Sequence, residues 1–139
     1  MEKIDIAIIG AGVVGLAVAW KIAQATKKTV VVIERNNKYG QEISSRNSGV
    51  IHSGFYYSPS MLKSQLCVRG NRLLYEFCKQ RNVVHYRRGK ILVALNQVEE
   101  EQLDALYNNA LSNTVNVNRL TERKVLEMEP EVTARSGLY

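Results

Sequence analysis

The sequence predicts an α/β fold, and three features near its start carry that prediction. An apolar run, Ile4-Asp5-Ile6-Ala7-Ile8-Ile9, leads into Gly10-Ala11-Gly12-Val13-Val14-Gly15. An amphipathic stretch rich in small residues follows. A second apolar run, Thr29-Val30-Val31-Val32-Ile33, then ends on Glu34. Strand, glycine turn, helix and strand, with an acid roughly 20 residues beyond the glycines, is the order of a dinucleotide-binding βαβ unit.

Each part has its own physical task. Both runs are continuously apolar and β-branched, as parallel strands covered on two faces require. Gly10 permits a tight turn out of the first strand, where a Cβ would clash. Gly12 lets a pyrophosphate approach the backbone, and Gly15 lets the helix lie close to the strands. The helix N-terminus offers unpaired N–H groups and a positive dipole end to phosphate. Val14, Ala17, Val18 and Ile22 recur at helical spacing and are expected to face the sheet. Glu34 is expected to accept hydrogen bonds from adenosine ribose hydroxyls, and an acid there disfavours the 2′-phosphate of NADP.

Beyond Glu34 the pattern changes. Residues 35–57 are polar, rich in Gly, Ser and Asn, and aromatic at the end. So long a stretch without periodicity in a compact domain points to function. Pro59-Ser60 opens a helix over about residues 61–80, with Leu66, Cys67, Gly70, Leu74, Phe77 and Cys78 as its apolar face. Val83 to Tyr86 reads as a short strand, and Lys90 to Leu95, after Gly89, as another. Asn96 caps a helix over about 97–111 with Leu103, Leu106, Tyr107 and Ala110 inward. Val115-Asn116-Val117 reads as a short extended piece. Thr121 caps a last helix that stops near Glu129, because Pro130 follows. Ser136 to Tyr139 reads as the entry to a further strand.

Composition narrows the function classes. The chain has 139 residues and a formal charge of +6. That charge suits an anionic ligand, yet the cations are scattered. The densest cluster, Arg87, Arg88 and Lys90, lacks the aromatic interleaving of a nucleic-acid surface and reads as a solvated strand end. Cys67 and Cys78 fall on one helix about 16 Å apart along its axis, too far for a disulfide, and read as core thiols. No metal-ligand spacing is present. The chain enters a strand almost at once, and no apolar run approaches a membrane span, so a reducing, cytoplasmic setting is expected.

The segment Ser44-Ser45-Arg46-Asn47-Ser48-Gly49-Val50-Ile51-His52-Ser53-Gly54-Phe55-Tyr56-Tyr57 carries a resemblance to a known family. It resembles the N-terminal part of FAD-dependent oxidoreductases of the D-amino-acid oxidase and glycerol-3-phosphate dehydrogenase type, and among them most the L-2-hydroxyglutarate dehydrogenases and oxidases. Leu66-Cys67-Val68-Arg69-Gly70 and Arg88-Gly89-Lys90-Ile91-Leu92-Val93-Ala94 are similar to the same enzymes. The resemblance implies FAD, with Gly10, Ala11, Gly12, Val13, Val14 and Gly15 at the pyrophosphate and Glu34 with Arg35 at the adenosine end. It implies that Ser44, Ser45, Arg46, Asn47, Ser48 and Gly49 run beside the linker toward the flavin. Hydroxyls, an amide and glycine N–H groups suit such a polar ligand. His52 is implied to lie near the flavin ring and is the candidate base, against the plainer reading of a histidine packed in a loop. His85 is read as structural.

The implied reaction oxidises an L-2-hydroxy acid, L-2-hydroxyglutarate, to the 2-oxo acid, with hydride passing to the flavin. An amino-acid or amine oxidase, or a glycerol-3-phosphate dehydrogenase, shares the same fingerprint. Residues 1–82 are expected to be the N-terminal part of an FAD-binding domain. Residues 83–139 are expected to begin a mixed α+β substrate domain. Such enzymes run to several hundred residues, so the expectation is a truncated or partial chain whose independent activity is open. The alternatives are a non-catalytic remnant, or a nucleotide-binding module that assembles with a separately encoded C-terminal half. The expected partner is a small 2-hydroxy acid rather than nucleic acid; peripheral membrane contact stays open.

Overall fold

The computed structural model describes residues 3–139. They fall into two compact units, one ending at Val50 and the other running from Ile51 to Tyr139.

The first unit is the βαβ element. Strand β1 (Ile6–Ile9) pairs in parallel with β2 (Val30–Ile33), Ile6 opposite Val30 and Ile9 opposite Ile33. The Asp5 carboxylate accepts the Thr29 N–H at 3.0 Å and ties the two strand entries together. Helix α1 (Val13–Ala25) crosses between them. Gly10 has φ +98°, and nothing lies within 4 Å of a Cβ built there. Its backbone conformation, and no neighbour, is what calls for glycine. At Gly15 the reason is steric: a Cβ would stand 2.0 Å from the Gly10 carbonyl oxygen.

That close approach corrects one expectation. Gly15, Ala19 and Ile22 form the half-buried face of α1, whereas Val14, Ala17 and Val18 are exposed. The helix rolls so that its smallest residue meets the turn, and the valines are carried off the sheet. The strands are also less covered than their composition foretells: Ile9 is 79% exposed and Ile33 51%.

The second unit opens with a loop over residues 51–61, followed by α2 (Leu62–Gln80). Here too the apolar pattern misplaces the inward face. Ser64 and Cys78 are buried and Cys67, Val68, Asn71 and Tyr75 half-buried, while Leu66, Gly70 and Leu74 are exposed. Both cysteines are free thiols. Val83 to Tyr86 forms no strand. Asn82 takes a φ of +55° after the helix, and His85 Nδ1–H donates to the Val83 carbonyl at 2.7 Å. That local bond supports a structural place for His85, whose ring also meets Tyr75 edge-on at 5.7 Å.

The remaining elements build a three-stranded antiparallel sheet in the order β3 (Leu92–Ala94), β5 (Ser136–Leu138), β4 (Arg119–Thr121). Helix α3 (Gln97–Ser112) lies between β3 and β4 in sequence, and α4 (Glu122–Met128) follows β4. Alternating residues point to opposite faces. Ala94 and Leu138 join Leu103 of α3 in one buried cluster, while Leu120 joins Val125 of α4 and Ala134 in the other. Both helix caps follow expectation. Asn96 Oδ1 accepts the Glu99 N–H at 3.0 Å while Glu99 Oε2 accepts that of Leu95 at 2.7 Å, and Thr121 Oγ1 accepts the Lys124 N–H at 3.3 Å.

Gly137 sits in the central strand between these two clusters. A Cβ there would meet the Leu92 carbonyl oxygen at 2.8 Å and Val125 Cγ2 at 3.0 Å. Gly137→Ala is therefore expected to destabilise this unit by about 1–3 kcal/mol, read by urea unfolding. An alanine variant as stable as the parent would contradict the packing described.

A candidate nucleotide cradle at the start of helix one

The site is built where β1 ends and α1 begins. The first N–H groups of an α-helix have no acceptor within the helix, and Gly12, the residue before α1, offers no side chain to supply one. Ser44 reaches in from 31 residues away, its Oγ accepting the Val13 N–H at 2.9 Å. The same Oγ lies 3.1 Å from where a Gly12 Cβ would stand. Gly12, Val13 and Ser44 therefore form one small cradle that any side chain at position 12 would fill.

Glu34 closes the other side. Its Oε2 accepts the Ala11 N–H at 2.7 Å, and its Oε1 accepts the backbone and side-chain N–H groups of Asn36, both at 3.0 Å. These bonds to the ionised form, that of the Asn36 backbone foremost and then that of Ala11, hold the Glu34 carboxyl below its ordinary value. The Gly40 N–H donates to the Ala11 carbonyl at 2.9 Å, so both polar groups of the Ala11 backbone are tied to the segment after β2.

The Arg35 side chain turns away from this clamp. Its guanidinium forms an ion pair with Glu42, Nε donating at 3.0 Å, which raises Arg35 and lowers Glu42 from their ordinary values. Asn36 Nδ2 also reaches Glu42 Oε1 at 3.4 Å and thus stands between the two carboxylates. The polar segment that follows is held by its own side chains around a short 3-10 turn (Ile43–Ser45). Ser45 Oγ donates to the Glu42 carbonyl at 3.0 Å, and Asn47 Nδ2 to the Ser44 carbonyl at 2.9 Å. Asn47 Oδ1 accepts the N–H of Gly49, which turns at φ +67°, and Ser48 Oγ accepts that of Val50.

The anticipated residues thus divide in three. Gly10, Ala11, Gly12, Val13, Gly15, Glu34 and Ser44 are joined by direct contacts, and Asn47 is bonded to Ser44. Val14 is 73% exposed in the first turn, and Arg46, Ser45, Ser48 and Gly49 lie exposed along the same segment. His52 belongs to the second unit, exposed, with its carbonyl accepting the Asn71 Nδ2–H at 3.1 Å. Asn36, Gly40 and Glu42 escaped the sequence reading. The one signal for them was local: an asparagine two residues after the acid can bond back to it.

The donor set fits a dinucleotide. Ser44 uses a lone pair on Val13, which leaves its O–H to donate to a phosphate oxygen. Glu34 stays an ionised acceptor beside the Ala11 N–H, which is the chemistry a ribose hydroxyl needs from its partner. Among the described residues, no group of His, Cys, Asp and Glu is placed to hold a metal ion, and no helix is long and apolar enough to cross a membrane.

Comparison with known proteins points the same way. Residues 5–139 match the model of the family described as FAD dependent oxidoreductase. The chain is 39% identical over 138 residues to the mitochondrial L-2-hydroxyglutarate dehydrogenase of Arabidopsis thaliana, covering 99% of this chain and 28% of that protein. It is 41% identical over 131 residues to that of Homo sapiens, covering 93% and again 28%. Among solved structures it is similar to L-alpha-glycerophosphate oxidase from Mycoplasma pneumoniae with FAD bound, with a TM-score of 0.85, 32% identity and coverage of 99% of this chain and 37% of that one. Glycine oxidase from Geobacillus kaustophilus shares the fold with a TM-score of 0.82 at 24% identity, over 97% of this chain and 38% of that one. The chain thus spans less than a third of the two dehydrogenases' length.

Two outcomes test the cradle. Ser44→Ala removes the acceptor at the start of α1 and is expected to cost about 1 kcal/mol, read by denaturant unfolding. Because the Glu34 carboxyl lies below its ordinary value, the clamp on Ala11 is complete above the usual carboxylate range and is lost as pH falls through the lowered value. The Ala11 amide resonance should follow that titration and lose its inflection in Glu34→Gln. An inflection that persists in this variant would assign the titration to another group.

Proposed function

The chain belongs to the FAD-dependent oxidoreductase family, and on that premise we propose that it is the N-terminal portion of a flavoenzyme oxidising an L-2-hydroxy acid, L-2-hydroxyglutarate, to the 2-oxo acid. The observation that carries the cofactor part of this reading is the cradle of Gly12, Val13 and Ser44. The substrate class rests on the names of the relatives with which it shares about two-fifths of its residues.

In this reading the first-turn N–H groups of α1 and the Ser44 hydroxyl hold the pyrophosphate, with the helix dipole favouring its charge. Glu34 accepts from the ribose hydroxyls, and Asn36 keeps its carboxylate turned toward Ala11. Residues 45–49 follow the linker. Bound FAD supplies a two-electron acceptor for the hydride on the substrate Cα. His52 is the candidate base, its imidazole taking the hydroxyl proton as the carbonyl forms. Residues 1–82 serve the cofactor, and residues 83–139 begin the substrate domain. The change from a parallel strand pair to an antiparallel sheet falls between β2 and β3 and fits two functions along the chain, while the compact units themselves divide between Val50 and Ile51, ahead of residue 82. The free thiols Cys67 and Cys78 suit a reducing compartment, as in the cytoplasm.

A second reading is a flavoenzyme acting on glycerol 3-phosphate, favoured by the similarity to L-alpha-glycerophosphate oxidase. The two part on one experiment. The intact flavoenzyme of which this chain is proposed to be the N-terminal portion is loaded with flavin and mixed with each substrate in turn without oxygen, and bleaching of the flavin band is followed. L-2-hydroxyglutarate is expected to bleach it and glycerol 3-phosphate to leave it unchanged. The reverse result would install the second reading. His52→Ala is expected to slow the bleaching by about 10²-fold or more, the usual range for a general base. Bleaching at the parent rate would remove His52 from the chemistry.

A further inference from the structure

The second unit holds the loop that carries His52 by an unusual means. Its carbonyls point at two helices, and side-chain amides receive them. Asn109 Nδ2, in the last turn of α3, donates to the carbonyls of Phe55 at 2.6 Å and Tyr57 at 2.8 Å. Asn113 Nδ2, one turn on at the end of the helix, donates to those of Tyr57 at 2.8 Å and Gly54 at 3.3 Å. Both hydrogens of each amide are therefore used. From α2, Ser64 Oγ reaches the Gly54 carbonyl at 3.4 Å and Asn71 Nδ2 that of His52 at 3.1 Å.

Three properties make this more than incidental loop decoration. Asn113 is 8% exposed and Ser64 1%, so both are polar groups committed to the interior. The partners are 10 to 59 residues apart, so the bonds are tertiary and owe nothing to local turn formation. Gly54 is fixed in turn: at φ +89° a Cβ would meet Cys67 Cβ, the Ser64 carbonyl and Val68 Cγ2, each at 3.1 Å. Buried carbonyls without donors are costly, and the amides meet that need while setting where each carbonyl stands.

We infer that Asn71, Asn109 and Asn113 are positioning residues that set the backbone from His52 to Tyr57 through hydrogen-bond donation, a role for residues on two helices outside the cradle. Asn71 holds the residue that carries the imidazole, and the α3 pair holds the turn that follows. The link to catalysis rests on the proposed place of His52; the positioning itself does not.

The test is amide hydrogen exchange across residues 52–57 in the full chain, with exchange in α3 as the internal reference. Asn71→Leu keeps bulk and removes the donor, and Asn71→Gln keeps a donor. Loss of the bond is expected to loosen the loop and to speed exchange of the Tyr57 N–H, which donates to the Gly54 carbonyl, by about tenfold in the leucine variant, the scale of one amide–carbonyl hydrogen bond, with the glutamine variant nearer the parent. Parent-like exchange with leucine and fast exchange with glutamine would mean that the site is filled for packing, and would overturn the inference. Asn113→Asp, isosteric but without the donors, is expected to speed exchange at residues 54–57 while α3 stays protected. If that variant unfolds, the Asn71 pair decides alone. Flavin reduction unaltered by His52→Ala, with exchange responding as stated, would remove the catalytic reading and leave the positioning intact.

Discussion

The cradle depends on one contact, the approach of Gly15 to the carbonyl of Gly10. No side chain fits between them, so the helix comes down on the turn as closely as two backbones allow. The helix N-terminus is thereby fixed relative to the end of β1, and its N–H groups open at the end of the strand pair. Ser44 and Glu34 then complete the site from residues distant in sequence, one accepting from Val13 and the other from Ala11. The roll of α1 has the same origin. A helix seated on a glycine leaves Val14 and Val18 outside, although their spacing alone would bury them.

Much of this was legible in the residues. The two β-branched runs, the glycine spacing, the Asn96 and Thr121 caps and the Pro130 stop each name a local event, and local events are what a sequence displays. Elements that depend on distant partners were harder. Val83 to Tyr86 has strand composition but finds no ladder, whereas Arg119–Thr121, with two polar residues among three, becomes a strand because β5 lies beside it. The α2 face shows the same limit from the other side. Apolar periodicity pointed to Leu66 and Leu74, yet Ser64 and Asn71 turn inward to meet loop carbonyls. Nothing in their spacing announces those partners. Asn36 and Glu42 were hidden likewise, in a segment without period.

The site and the loop use polar side chains in a shared way. Ser44 caps a helix from afar, Glu34 takes a glycine-loop amide, and the asparagines of α2 and α3 take loop carbonyls. Each satisfies a backbone group that regular structure leaves unpaired, and each thereby fixes a segment without period of its own. Side-chain to backbone bonds of this kind let irregular stretches, residues 40–50 in the first unit and 51–57 in the second, each hold a defined course.

We propose that the residues up to Val50 hold the adenosine and pyrophosphate part of FAD. Calorimetric titration of the chain with ADP and with FMN tests it most directly. One-to-one binding of ADP that FAD displaces is expected, with loss of both in Gly12→Val and no comparable binding of FMN. Binding of FMN without ADP, or undiminished ADP binding in Gly12→Val, would contradict it.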